Sequence, residues 1–134
     1  MSPSSTLGRS IAAVVLGFLA VVVLSLATDQ LFHVLDVYPP WGEPMWSPAL
    51  NLLALTYRTV YTVLGGYLTA RLAPQAPMRH VAILAVIGTV AAIAGALTAL
   101  SVADLGPTWY PIALAVLAFP SVWLGGRLFR DDGA

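Results

Sequence analysis

Apolar residues run through this chain in four long stretches, separated by prolines and by most of its charged positions. A helix needs about 20 residues to cross roughly 30 Å of hydrocarbon, and each stretch is long enough. The pattern predicts helices at about Ser10 to Val34, Pro48 to Leu72, Arg79 to Ala103 and Pro107 to Phe129. Residues that continue a helix poorly mark the breaks: Pro39 and Pro40, then Pro74 and Pro77, then Gly106 and Pro107. The expected fold class is an all-α membrane protein, with residues 1–134 forming a single four-helix transmembrane domain. Arg9, the apolar run from Ile11 to Leu24, and Ser25-Leu26-Ala27 also resemble a signal peptide with its cleavage site. Because the apolar character continues through Leu31, Phe32 and Val34, a spanning helix fits better.

Within the second helix, a turn of 100° per residue puts Asn51, Arg58, Thr62, Gly65 and Thr69 on one stripe. Leu55 lies beside that stripe and Tyr61 at its edge, while Leu53, Val60, Val63 and Leu64 take the other side. The polar stripe must face protein or water. On the first helix Ser25, Asp29, His33 and Asp36 share a face in the same way. An arginine in mid-membrane costs about 2.5–3.5 kcal/mol on insertion scales, so Arg58 needs a partner. Counting inward from the outer ends at about 1.5 Å per residue brings Asp29 and Arg58 within roughly 10 Å of each other in depth. The expectation is an Asp29–Arg58 ion pair, a guanidinium fork on a carboxylate, with Tyr57, Tyr61 or His33 satisfying the remaining donors and acceptors. Two roles fit such a cluster. It is either a fixed polar clasp between two helices, or the site of a small-solute or ion transporter or channel.

The third helix carries Ala85, Gly88, Ala92, Gly95, Ala96 and Ala99 on one side. Small residues at such spacing let helix backbones approach closely in lipid, so this helix is expected to be the central packing element. In the fourth, Pro120 removes a backbone hydrogen bond and frees the Val116 carbonyl, which predicts a kink with Ser121 or a neighbour satisfying that oxygen. Trp46-Ser47-Pro48 is echoed by Trp109-Tyr110-Pro111, and Leu64-Gly65-Gly66 by Leu124-Gly125-Gly126. These matches suggest two helical hairpins in parallel repeat, packed through Gly65 and Gly66 among others. The loop from Val37 to Pro48 is dense in proline, tyrosine and tryptophan, which suits an ordered cap in the headgroup layer.

Composition agrees with the bilayer reading: 59% of residues are hydrophobic, 9% are charged, and the mean hydropathy is +0.86. Arg9, Arg71, Arg79, Arg127 and Arg130 fall at one set of helix ends, and Asp29, Asp36, Glu43 and Asp104 at or near the other. The positive-inside rule then puts both termini in the cytoplasm. A formal charge of zero argues against a nucleic-acid partner. With no cysteine, there is no disulfide, no thiolate nucleophile and no cysteine metal site. His33 and His80 lie at opposite ends of their helices, too far apart to share a haem iron, so neither metal nor cofactor is expected. No HExxH, GxSxG, Walker or GxGxxG pattern occurs, and the chain is not expected to be an enzyme.

The segments Pro39-Pro40-Trp41-Gly42-Glu43-Pro44-Met45, Tyr57-Arg58-Thr59-Val60-Tyr61, Gly65 to Pro74 and Pro77-Met78-Arg79-His80, with Trp109-Tyr110-Pro111 and Trp123-Leu124-Gly125-Gly126, resemble an uncharacterised family of small bacterial inner-membrane proteins with four predicted helices. The resemblance implies a bacterial cytoplasmic membrane as location and assigns no activity to any residue. Small multidrug transporters share only the helix number, since they carry a membrane-embedded glutamate in the first helix and this chain has none. The expected role is a structural, interaction or accessory protein whose partners are the bilayer and either further copies of itself or another membrane protein. The alternative is a transporter or channel built around Arg58.

Overall fold

The structure is a computed structural model that describes residues 3–102 and 105–133. Among the described residues it contains four α-helices and no strand: α1 (Pro3–Val34), α2 (Pro48–Leu72), α3 (Pro77–Ser101) and α4 (Trp109–Gly133). Their ends follow from local chemistry. α1 stops where Asp36 adopts a left-handed φ of 60°, and the amides of Val37 and Tyr38 both turn back onto the Phe32 carbonyl. α2 starts at an N-cap, Ser47, whose hydroxyl accepts from the Leu50 amide, with Pro48 in the first turn. α3 likewise opens on a proline, two residues earlier than the pattern predicts, after Ala76 has reversed the chain at a φ of 45°. α4 begins at Trp109 rather than Pro107 and continues four residues beyond Phe129 to Gly133. Ala103, the expected end of the third helix, and Asp104 lie outside the described residues.

Side-chain contacts give the directions of the helices. Thr69 of α2 donates to the Ala13 carbonyl of α1 while Tyr61 reaches Thr28, so α1 and α2 are antiparallel. Arg58 shares the wall of one cleft with Tyr110 while Tyr67 packs on Phe129, so α2 and α4 run parallel. Both α2 and α3 touch all three other helices, whereas α1 and α4 do not meet. The two differ in how closely their neighbours approach. Close backbone approach is made by Gly17 against Gly65, Gly66 against Val122, and Gly125 against Val63 and Tyr67. A Cβ built on Gly88 or Gly95 of α3 would meet nothing within 4 Å. The echoed Gly-Gly pairs are thus both used in packing. Gly65 faces α1 and Gly66 faces α4, while Gly125 faces α2 and Gly126 faces Val81 of α3.

Packing is inverted relative to a water-soluble domain. Most of the buried set is small or polar, with Ala13, Ala54, Ala70, Ser25, Asp29, Asn51 and Thr69 among it. Large apolar side chains such as Leu19, Val60, Val90, Leu97 and Val116 point outward. A compact apolar group, Val81, Leu84, Ala85 and Val122 with Ala70, holds the end of the bundle where α3 begins. Three helices are long and apolar enough to cross a membrane, within Thr6–Val34, Pro77–Ser101 and Trp109–Arg130. α2 does not reach that apolarity, because Asn51, Arg58 and a series of threonines and tyrosines dilute it. Those polar groups are turned inward: Asn51, Gly65 and Thr69 are buried, while Leu52, Leu53, Val60 and Leu64 form the exposed side. Val63, expected on that outer side, is only partly exposed. α4 remains helical through Pro120, and Ser121 makes no hydrogen bond to the Val116 carbonyl.

Candidate functional site

Where α1, α2 and the loop after α1 meet, the structure brings Asp29, Tyr57 and Arg58 together. Arg58 donates through Nη2 to Asp29 Oδ2, and the Tyr57 hydroxyl donates to Asp29 Oδ1. This differs from the expected fork, because Tyr57 occupies the oxygen that a second guanidinium nitrogen would have taken. Asp29 is closed off, its side chain 8% exposed, and Arg58 is partly open at 29%. The Arg58 Nε is buried and has no hydrogen-bond partner among the described residues.

Tyr57 extends the group toward the loop. Its single proton points at Asp29, so Tyr38 is the donor in the 2.9 Å contact between the two hydroxyls. Tyr38 is 5% exposed and packs edge-on against Phe32. Burial holds its phenol above the ordinary value of 10.0. Sequence reasoning missed Tyr38 because nothing in a loop's composition says which aromatic folds back over a helix end.

The other expected members go elsewhere. The Tyr61 hydroxyl bonds to Thr28 at 2.8 Å, a second tie between α1 and α2, and leaves Asp29 alone. Thr62 donates back to the Arg58 carbonyl within its own helix. His33 donates from Nδ1 to the Pro39 carbonyl at 2.6 Å and lies against Trp41, whose indole N–H reaches Gln30. It belongs to the cap and does not touch the ion pair. Asn51 also serves the loop, its amide donating to the carbonyls of Met45 at 3.0 Å and Ser47 at 2.9 Å. The cap over this end is ordered by these bonds together with Met45 N to Leu105 O at 2.9 Å.

Beside the ion pair is a cleft of about 590 Å³ between α1, α3 and α4. Arg58, Ser25 and Thr62 stand on its wall, facing Gly88, Ala92 and Gly95 of α3 and Tyr110 of α4. The small-residue stripe of α3 therefore lines a space instead of closing a seam, although Ala85 and Ala96 on the same helix are buried. No family model, curated protein or solved structure matches this chain.

The chemistry rests on these residues alone. Among the described residues no group of three or more His, Cys, Asp or Glu side chains is placed to hold a metal ion. The arrangement can do two things: lock α1 to α2 through a desolvated ion pair, and offer a largely apolar recess with a few hydrogen-bond donors on one wall.

Proposed function

We propose that the chain is a small multi-pass protein of a bacterial cytoplasmic membrane that acts as a structural or accessory component and not by catalysis. All four helices cross the bilayer in this reading, with both termini on the cytoplasmic side. The fourth crossing is α2, whose polar stripe is tolerable in lipid because its three neighbours cover it. The arginines at the α1 start, the α2 end, the α3 start and the α4 end support this orientation. The resemblance to an uncharacterised family of such proteins belongs to the same proposal.

One observation carries the structural role: both oxygens of Asp29 are occupied, one by Arg58 and one by Tyr57, and Tyr57 is itself held by Tyr38. A group closed in this way clamps two helices and a loop, and leaves Asp29 no oxygen to exchange with a passing ion. The test is thermal unfolding of Arg58→Leu in detergent, combined with flux of protons and small anions into liposomes carrying the wild-type protein. A clasp gives a clear loss of stability and no flux. A second reading, a small-solute or ion transporter, draws on the cleft that reaches Arg58. Flux that Arg58→Leu abolishes without loss of stability would decide for it.

A further inference from the structure

We infer that the cleft between α1, α3 and α4 binds one acyl chain of a bilayer lipid, with the lipid's ester carbonyl received by Arg58 and Tyr110. This rests on the bilayer reading above and goes beyond it by naming a ligand and a site.

The size and lining of the cleft are the first argument. Its volume of about 590 Å³ lies in the range of small-molecule sites, roughly 300–1,000 Å³. Most of the wall is apolar, with Val21 and Val22 of α1 and Leu114 and Leu117 of α4 facing the small residues of α3. Water needs two to four polar partners to settle in a cavity, and such a wall does not provide them along its length. A dry void would forfeit dispersion contacts on every side. An aliphatic chain restores them, and the bare surface at Gly88 and Gly95 leaves it room.

Access is the second argument. Over the capped end, the Met45 amide donates to the Leu105 carbonyl, Asn51 holds the Met45 carbonyl, and Gly106 is pressed against that same oxygen. At the opposite end the space closes on Leu84 and Val122, where Gly17 of α1 lies against Leu84 and Thr69. α1 and α4 do not meet, so the way in is from the side. A lateral entrance between apolar helices admits a lipid chain, whereas a hydrophilic solute would have to pass the roof.

The third argument is the donor pattern. A guanidinium has five N–H donors in a fixed fork. Asp29 takes one of them and neutralises the charge, and the Arg58 side chain, 29% exposed, stands on the cleft wall with further N–H donors that no described residue accepts. The Tyr110 hydroxyl, on the same cleft, makes no hydrogen bond within the described residues. Donors without net charge suit a neutral acceptor such as an ester carbonyl better than a phosphate, which calls for uncompensated positive charge.

The experiment uses the full chain in phosphatidylcholine liposomes that contain a trace of phosphatidylcholine bearing a diazirine midway along one ester-linked acyl chain. After irradiation, adducts are mapped by mass spectrometry. Labelling concentrated on Ala92, Gly95 and Leu114 is expected, and its loss at Ala92 and Leu114 in Gly95→Leu and Gly88→Leu, which add bulk to the cleft at positions where a Cβ meets nothing within 4 Å. Circular dichroism and melting establish that these variants are folded. Adducts spread equally over outward residues such as Val90, Leu97 and Val116, or unchanged in both folded variants, would overturn the site. An ether-linked probe, which keeps the chain and lacks the carbonyl, is expected to label the cleft less, and equal labelling overturns the carbonyl assignment. Failure of the protein to float with the liposomes overturns the bilayer reading itself, whereas flotation with evenly spread adducts overturns the lipid site alone.

Discussion

Arg58 of α2 holds Asp29 of α1 through a single guanidinium nitrogen, because the other carboxylate oxygen belongs to Tyr57. The consequence is an ion pair that is sealed on the Asp29 side and still has a free donor on the Arg58 side. Removing one partner from such a pair strands the other in low dielectric, which typically costs about 3–5 kcal/mol.

Arg58→Leu and Asp29→Asn should therefore each destabilise the protein by about 3–5 kcal/mol in detergent unfolding. The double variant Asp29→Leu/Arg58→Leu should recover much of that loss, since neither charge is left alone. A double loss equal to the sum of the single losses would mean that the two residues are not coupled.

The hydroxyls that surround the pair should differ in weight. Tyr57→Phe removes a donor to a carboxylate and leaves Tyr38 without its acceptor, for a loss of about 1.5–3 kcal/mol. Tyr61→Phe removes a neutral bond to Thr28 and should cost about 0.5–1.5 kcal/mol. Thermal melts of the two single variants side by side check the order, and Tyr61→Phe as the more damaging change would contradict the geometry.

Glycines on α2 and α3 should respond in opposite ways. A methyl group on Gly66 runs into the Val122 carbonyl, a backbone atom that cannot step aside, so Gly66→Ala should destabilise by about 1–3 kcal/mol. Gly95→Ala meets nothing and should be neutral or slightly stabilising. Equal effects from the two, measured by unfolding in detergent, would refute the close approach of α2 and α4 at Gly66.

Alkaline conditions should weaken the cap. The Tyr38 phenol titrates higher in the folded protein than its ordinary 10.0, so the folded state keeps a proton that the unfolded chain releases. Its contribution is complete below pH 10 and is lost as pH rises through the folded value. Melting temperature followed from pH 8 upward should fall less steeply above pH 10 in Tyr38→Phe than in the wild type.

Much of the fold was legible because its signals are local. Prolines mark the breaks between helices, and the apolar runs mark helix bodies. The polar stripe on α2 was equally plain, since a residue that cannot face lipid must face protein, and Asp29 was the carboxylate at matching depth. The small-residue stripe of α3 packs only in part. Its small residues permit close approach but do not say whether a neighbour arrives, and here Gly88 and Gly95 border a cleft. His33 was misplaced by its helical face alone, because the chain folds back beyond Val34 and offers it the Pro39 carbonyl and the Trp41 ring.

By itself the sequence determined four apolar-rich helices, their breaks, the face on which each polar group sits, and the need of Arg58 for a carboxylate. These follow from periodicity and from the cost of desolvating charge, which act along one helix at a time. Tertiary structure alone decided that the closest helix approaches fall on α2, that Tyr57 and Tyr38 complete the clasp, and that α1 stands apart from α4 to leave a cleft. Such features depend on which surfaces meet. Many arrangements of four apolar helices bury similar area in lipid, so the choice falls to a few backbone contacts, such as Gly66 on Val122, that no single helix encodes.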